Sequence, residues 1–129
     1  RQIYAFVVVE DEELVAKLSK MNADAMNSTS DPFYGAKSLI IVFADTKAPT
    51  YLYDGALAMG NLMNAAHALG VDSCWIHRAK EVFETPEGKK MKKAWGLSDS
   101  YEGIGHCILG YRLEEPEERA ERTSKVVYA

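Results

Sequence analysis

Residues 53–78 read YDGALAMGNLMNAAHALGVDSCWIHR, an almost wholly apolar helix that stops at a glycine and leads into a short strand. Asn61, Asn64 and His67 interrupt only one narrow stripe of this helix, at three-residue spacing. A helix with so little polar surface must be covered on nearly every side. We expect Asp54 to cap its N-terminus and Gly70 to occupy the left-handed position after its end.

The cover for this helix can come from the core of a monomer or from a second copy of the chain. Small residues recur along it, and they let another backbone approach closely, as at a dimer two-fold axis. They are Gly55, Ala56, Ala58, Gly60, Ala65, Ala66 and Ala68. Both alternatives remain open from periodicity alone, and we expect a homodimer interface along Asp54 to Leu69.

Bulk properties restrict the class of protein. A chain of 129 residues supports one domain. The formal net charge of −4 opposes nucleic acid and gives no reason for an anionic membrane surface. The longest apolar runs, 5–9 and 39–44, are far shorter than the ~20 residues of a membrane helix. Two cysteines do not make a disulfide framework, so we expect a cytoplasmic location.

Four segments are typical of β-strands because they are rich in β-branched and aromatic residues. They are Ile3–Val9, Lys37–Ala44, Val71–Ile76 and Tyr101–Gly110. The near-continuous apolarity of the first predicts a strand that is covered on both faces. In the last, Gly103 and Gly105 predict a close backbone approach or a bulge.

Helix signals lie between these strands. Asp11 is placed to cap a helix whose apolar residues Leu14, Val15, Leu18 and Met21 recur at helical spacing. Thr85-Pro86-Glu87 is a helix start, with the hydroxyl at the cap and proline at the first position, and this helix is predicted to run to Trp95. Its lysines are predicted to form a solvated face. They are Lys89, Lys90, Lys92 and Lys93.

A zinc site is the obvious chemical interpretation of Cys74, His77, His106 and Cys107. Side chains alternate faces along a strand, so at most one residue of each pair shares a face, which is too few for four ligands. The same alternation argues against a Cys107 nucleophile with His106 as its base. No nucleophile elbow, Walker A loop or Rossmann fingerprint is found. We therefore expect no metal site and no residue-based catalytic nucleophile.

The order of four segments resembles the FMN-dependent nitroreductase family. They are the helix of residues 54–69, the SCWI strand, Trp95-Gly96 and GIGHCILGY. The resemblance covers most of the chain and implies an α+β fold, a three-layer α-β-α sandwich around a mixed, mostly antiparallel sheet. It implies one domain over residues 1–129, N-terminally incomplete because the family's Arg-Arg-Ser phosphate-binding segment and the Asn of its Asn-x-Gln motif are not found. Residues 112–129 would form an arm whose final strand joins the partner's sheet.

The activity that the resemblance implies is hydride transfer from NADH or NADPH through bound FMN to nitroaromatic, quinone or similar planar acceptors. The mechanism would be ping-pong, in a homodimer with two flavins at its interface. An alternative is a non-enzymatic dimeric module of the same fold that has lost flavin binding. Deiodinase-like or ring-cleaving relatives of the flavin fold also remain possible.

The resemblance further implies the site residues. Backbone N–H groups of the turn after SCWI would lie near N5 and O4 of the flavin, Gln2 near its pyrimidine ring, and Arg122 near its phosphate, with Arg119 and Lys125 as neighbours. Many relatives have glycine near the end of this turn, where Arg78 stands here. The full set of expected cofactor-binding residues is Arg1, Gln2, Trp75, Ile76, His77, Arg78, Arg122 and Lys125.

Overall fold

A computed structural model of the chain describes residues 2–129. Arg1, predicted to lie near the flavin ring, is outside the described residues. The helices and strands, in chain order, are β1 (Tyr4–Val9), α1 (Glu12–Ala25), β2 (Ser38–Asp45), α2 (Tyr51–Ala68), β3 (Asp72–Ile76), α3 (Ala79–Glu84), α4 (Pro86–Ala94) and β4 (Tyr101–Gly110). Residues 111–129 are exposed and form neither helix nor strand, so the exchanged strand stays a prediction.

The strands form one sheet in the order β1-β2-β4-β3, and the three pairings among them are all antiparallel. The last strand of the chain, β4, therefore lies between β2 and β3. This leaves β1 and β3 at the two edges of the sheet.

Helices cover both faces of the sheet, as the predicted three-layer arrangement requires. One face packs against α1, α3 and α4 through a core that includes Leu18, Leu39, Phe43, Val82 and Phe83. The other face packs against α2 through Val42, Ala44, Ala58, Met59 and Cys107. The α+β class is confirmed. None of the helices in residues 2–129 is long and apolar enough to cross a membrane.

The predicted helix caps are confirmed at three positions. Asp11 Oδ1 accepts a hydrogen bond from the Leu14 N–H at 2.8 Å, and Thr85 Oγ1 accepts from the Gly88 N–H at 3.0 Å. Gly70 has a φ of 73° after the end of α2, the left-handed conformation that glycine adopts without steric cost. These local signals are carried by single side chains, so they can be read from sequence.

The predicted cap of α2 is wrong, because the helix begins four residues earlier than a cap at Asp54 requires. Thr50 occupies the N-cap position and Asp54 lies in the first turn, where its Oδ2 accepts a hydrogen bond from Thr50 Oγ1 at 2.6 Å. A carboxylate anywhere in the first turn is stabilised by the helix dipole. Asp54 therefore marks the start of the helix without being its cap.

The prediction that β1 is covered on both faces is also wrong for the single chain. Tyr4, Phe6 and Val8 are 40%, 47% and 63% exposed. They lie on the same face of the sheet as α2, as their pairing with Ala44, Val42 and Ile40 shows. Because α2 packs mainly over β2, β3 and β4, this apolar face of β1 remains uncovered.

The two glycines of β4 mark close approaches, as predicted. A Cβ at Gly103 would lie 2.7 Å from the backbone of Ala79, and a Cβ at Gly105 would lie 2.1 Å from Nε1 of Trp75. The strand also contains the predicted bulge, since Val42 pairs with Gly105 but Phe43 pairs with Gly103. Ile104 is the extra residue.

Lys92 departs from the predicted solvated face of α4. It is only 5% exposed, and its Nζ donates to the carbonyl oxygens of Tyr101 at 2.8 Å and Asp99 at 3.4 Å. The neighbouring Lys89, Lys90 and Lys93 are exposed, as predicted. The ammonium of Lys92 therefore holds the segment before β4 against α4.

We predict that Lys92→Met lowers the free energy of unfolding by about 1–3 kcal/mol, because the carbonyl oxygens of Asp99 and Tyr101 lose their charged donor. Urea denaturation at pH 7 measures the change. Lys93→Met, one position further along the same helix, is the control and should stay within about 0.5 kcal/mol of the parent protein. Equal effects of the two substitutions would contradict a structural role for the buried ammonium.

His106 is a fully buried histidine in the core of the α1, α3 and α4 face. Its ring lies between Phe33 and Phe83, with ring centroids at 5.2 and 5.9 Å. Neither ring nitrogen has a hydrogen-bond partner within residues 2–129. Burial lowers the pKa of His106 to about 3, so the ring is neutral in the folded protein near neutral pH.

We predict that His106 makes the protein sensitive to acid. Below its ordinary pKa of 6.5 the unfolded chain binds a proton, whereas the folded protein does not until its pKa of about 3. As the pH is lowered across this interval, the free energy of unfolding therefore falls by about 1.4 kcal/mol for each pH unit. His106→Leu should remove this slope, as measured by urea denaturation between pH 4 and 7. The same exchange at the exposed His67 should leave the slope unchanged.

Candidate functional site

The predicted site residues Gln2 and Trp75 to Arg78 lie at one end of the sheet. Strands β1 and β4 run in one direction, and β2 and β3 in the other. The start of β1 and the end of β3 consequently face the same end of the sheet across three strand spacings, or ~14 Å, although the last residue of β3, Ile76, is level with Val7 in the middle of β1. Gln2 is exposed immediately before β1. The structure thus places the two predicted contact regions at the same end of the sheet, on its two opposite edge strands.

The alternation of β3 divides the predicted contacts between the two faces of the sheet. Trp75 shares the α2 face with its partner Cys107, lies over Gly105 and is 38% exposed. Ile76 points into the opposite core and is buried. Ile76 can therefore contribute only its backbone to a ligand on the α2 face, whereas Trp75 can contribute its indole ring.

Arg78 adopts a left-handed conformation, with φ 82° and ψ 10°, directly before α3. Left-handed backbone costs a non-glycine residue roughly 1–2 kcal/mol. Its Nη1 donates to Glu81 Oε1 at 2.8 Å, and this bond holds the pKa of Glu81 below its ordinary value. An exposed pair of this kind contributes only about 0.2–1 kcal/mol, so the pair does not offset the backbone cost.

The backbone of this turn presents donors. Among the hydrogen bonds of turns and loops in residues 2–129, the Arg78 carbonyl accepts from the Val82 N–H at 3.0 Å, but no bond is donated by the N–H of His77 or Arg78. The His77 side chain is exposed. Two adjacent N–H groups are thus available to a ligand that carries acceptor atoms.

A polar cluster beside the turn was not predicted. Tyr51 Oη donates to Glu102 Oε1 at 3.2 Å, and Lys80 Nζ lies 3.0 Å from Glu102 Oε2. Burial and, after it, the charge of Glu102 raise the pKa of Tyr51, and the hydrogen bond to Glu102 raises the pKa of Lys80. The cluster ties the first turns of α2 and α3 to the start of β4.

Within residues 2–129, no hydrogen bond or ion pair joins the basic residues of the arm to this end of the sheet. Arg112 donates from Nε and Nη2 to the two carboxylate oxygens of Asp72, at 2.8 and 2.6 Å. This pair fixes the start of the arm at the opposite end of β3. Arg122 and Lys125 follow in the exposed part, and the segment from residue 110 to 122 can span roughly 40 Å when extended.

The cysteines and His106 form no reactive group. His106 and Cys107 lie in the cores on opposite faces of the sheet, and burial raises the pKa of the Cys107 thiol to about 11. Cys74 is exposed. Among the described residues, no three or more histidine, cysteine, aspartate or glutamate side chains are grouped so that they could hold a metal ion.

The sequence profile of the nitroreductase family matches residues 2–111. The chain belongs to this family. The match extends from Gln2 through the turn at Arg78 and ends at the first residue after β4. It thus includes the sheet end described above and leaves out the arm.

Solved structures share the fold of this nitroreductase-family chain. A nitroreductase with bound FMN from Bacteroides fragilis superimposes with a TM-score of 0.84 at 22% identity, covering 98% of this chain and 76% of its own. A nitroreductase with bound FMN from Desulfitobacterium hafniense superimposes with a TM-score of 0.83 at 20% identity, and the match covers 100% of this chain and 77% of that protein. An iodotyrosine deiodinase bound to FMN and 3-iodo-L-tyrosine superimposes with a TM-score of 0.70 at 20% identity, and the match covers 98% of this chain and 75% of that protein. A comparison with curated proteins gave no match.

The residues of this nitroreductase-family chain fit one part of an FMN molecule. A flavin ring carries acceptor atoms along one side, and the free N–H groups of His77 and Arg78 are suitable donors for them. The exposed amide of Gln2 at the same sheet end suits the ring's imide. The phosphate requires cations, and Arg122 and Lys125 have the right chemistry but lie on the arm.

Proposed function

We propose that this protein is an FMN-dependent oxidoreductase that transfers a hydride from NADH or NADPH to planar acceptors such as nitroaromatics and quinones. The observation that carries the proposal is the family match over residues 2–111. The matched residues include Gln2 and the turn after β3 with its free N–H groups, and both lie at the same end of the sheet. A ping-pong order follows if donor and acceptor use the same face of the flavin in turn.

The protein's own part is to bind and orient the cofactor, which supplies the hydride chemistry when bound. The N–H groups of His77 and Arg78 stabilise negative charge that develops on the acceptor atoms beside them, because they are fixed before the reaction starts. Gln2 orients the far side of the ring by accepting and donating hydrogen bonds. Trp75 supplies a partly exposed aromatic surface, and Ile76 anchors the turn in the core.

The phosphate is assigned to Arg122, with Lys125 and Arg119 as neighbours and Arg1 as a further candidate. An arginine binds phosphate in a forked, charge-assisted geometry. Because Arg112 and Asp72 start the arm at the opposite end of β3, the arm must cross the molecular surface to reach a flavin. The site it reaches in our proposal is at the interface with a second copy.

The proposed partner is a second copy of the chain, bound through the helix of residues 54–69 and the arm. The uncovered face of β1 and α2 form an apolar groove of about 460 Å³, lined by Tyr4, Phe6, Val8, Ile40, Ala58, Asn61, Leu62 and Ala65. Leu57, on α2, is 65% exposed. Contiguous exposed apolar surface of this kind is typical of an interface.

The second candidate function is a non-enzymatic dimeric module of the same fold. The observation that favours it is the position of Arg122 and Lys125, which the single chain leaves exposed on the arm. It predicts a folded dimer without affinity for FMN. A cytoplasmic location is proposed for either function, since Cys74 and Cys107 are free thiols and disulfide-free proteins are typical of reducing compartments.

We predict that the purified protein binds one FMN per chain, observed as saturable quenching of flavin fluorescence. Arg122→Ala should weaken binding by about tenfold, the loss expected when a charged hydrogen bond to phosphate is removed. Lys93→Ala, at an exposed cation of α4 that has no part in the proposed site, is the control and should bind FMN like the parent protein.

The result distinguishes the candidates. A folded protein that does not quench FMN fluorescence would support the module and exclude the oxidoreductase. Quenching that is equal in the parent protein and in Arg122→Ala would remove Arg122 from the phosphate site but leave the cofactor assignment in place. Saturable binding makes NAD(P)H-driven reduction of nitroaromatics and quinones the next measurement.

We predict that Phe6→Glu converts the dimer to monomers at micromolar concentration, because a carboxylate would have to be buried in the apolar groove. Sedimentation equilibrium measures the change in mass. Tyr34→Glu is the matched control, since Tyr34 is also an exposed aromatic residue but lies outside the groove. A Phe6→Glu variant that dimerises as tightly as the control would exclude this face from the interface.

A further inference from the structure

Arg78 has a strained backbone conformation, and it lies in the turn that the proposed function places beside the flavin. Within residues 2–129, three non-glycine residues have a positive φ, namely Asn27, Tyr34 and Arg78. Of these, only Arg78 lies in the turn that offers its N–H groups to a ligand. Strained backbone conformations persist only where the surrounding structure holds them in place, and they concentrate at functional sites. A glycine would adopt the same conformation without cost.

The pair with Glu81 does not account for the arginine as a stabilising residue. Both side chains are about half exposed, 45% for Arg78 and 38% for Glu81, and such pairs are weakened by solvent and salt. Glycine at position 78 would remove both the strain and the need for a partner. Stability therefore gives no reason for an arginine at this position.

The position of the guanidinium indicates what it contributes. Its bond to Glu81 Oε1, three residues along the chain, holds it over the first turn of α3, which begins directly after the two free N–H groups. The next cation along the chain, Lys80, is directed to Glu102 and Glu84. Arg78 thus places a positive charge at the turn, and Glu81 partly neutralises it.

We propose that Arg78 and Glu81 together set the reduction potential of the flavin bound at this turn. The guanidinium favours the reduced flavin, which carries a negative charge on its ring at neutral pH, and Glu81 limits that effect. The inference rests on the proposed function. NADH or NADPH donates a hydride, which carries both electrons, and leaves oxidised, while the pair itself exchanges neither electrons nor protons and acts only through its charge.

Three substitutions at position 78 separate charge from backbone strain. Arg78→Gln removes the charge and keeps the strain, Arg78→Gly removes both, and Arg78→Lys keeps the charge. We expect the first two to weaken binding of reduced FMN relative to oxidised FMN by about tenfold, which for a two-electron couple lowers the midpoint potential by about 30 mV. Arg78→Lys should retain the parent potential to within a small fraction of that shift.

Glu81→Gln supplies a test of opposite sign. Without the carboxylate the guanidinium is no longer neutralised, so reduced FMN should bind more tightly and the midpoint potential should rise. Lys17→Gln is the matched control, because Lys17 also forms a half-exposed pair with a carboxylate, that of Glu87, but lies on α1, outside the turn and the arm. Its bound FMN should show the parent potential. The potential is measured by equilibration with a reference dye, independently of turnover.

The outcomes separate this inference from the proposed function. If the parent protein binds no FMN, both fail. If it binds FMN but Arg78→Gln, Arg78→Gly and Glu81→Gln all show the parent potential, only this inference is overturned, even where urea denaturation shows a change in stability. Opposite shifts for the position-78 charge deletions and Glu81→Gln, with no shift in Lys17→Gln, would support the Arg78–Glu81 pair as the tuning element.

Discussion

The structure depends on the close approach that the glycines of β4 permit. Gly103 lets the backbone of Ala79 lie against the sheet, and Gly105 lets the Trp75 ring lie over it. Both contacts hold the two ends of the turn between β3 and α3, from opposite faces. A side chain at either glycine would overlap atoms that are 2.7 Å or less from its Cβ and would displace the turn. The position of the candidate site is therefore determined by a central strand that contains none of its ligand-binding residues.

Much of the fold could be predicted because its signals are local. The caps at Asp11, Thr85 and Gly70 each depend on one side chain and its neighbours, and so they could be read directly. The burial of Lys92 could not be read, because its acceptors belong to a segment that returns to α4 only in the folded chain. The uncovered face of β1 escaped prediction for the same reason, since an apolar run does not show which helix lies above it.

The candidate site, like the fold, has features that could be predicted from the sequence and features that could not. The family pattern located the turn after β3, and antiparallel pairing then brought Gln2 to the same end of the sheet. The conformation of Arg78 is invisible in the sequence, where arginine has no preference for positive φ. The cluster of Tyr51, Lys80 and Glu102 was missed because its members are distant in the chain and share no motif. Alternation along β3, in contrast, explains why Ile76 offers only its backbone.

The bare face of β1 has a consequence for how the protein is made. Within residues 2–129 this strand is at the edge of the sheet, with one side of its backbone unpaired and an apolar row, Tyr4, Phe6 and Val8, exposed beside it. An edge of this kind also pairs with strands of unrelated or misfolded chains. Correct assembly therefore competes with aggregation from the moment a chain leaves the ribosome. The yield of native protein will depend on how fast the chain is synthesised and on the temperature of expression.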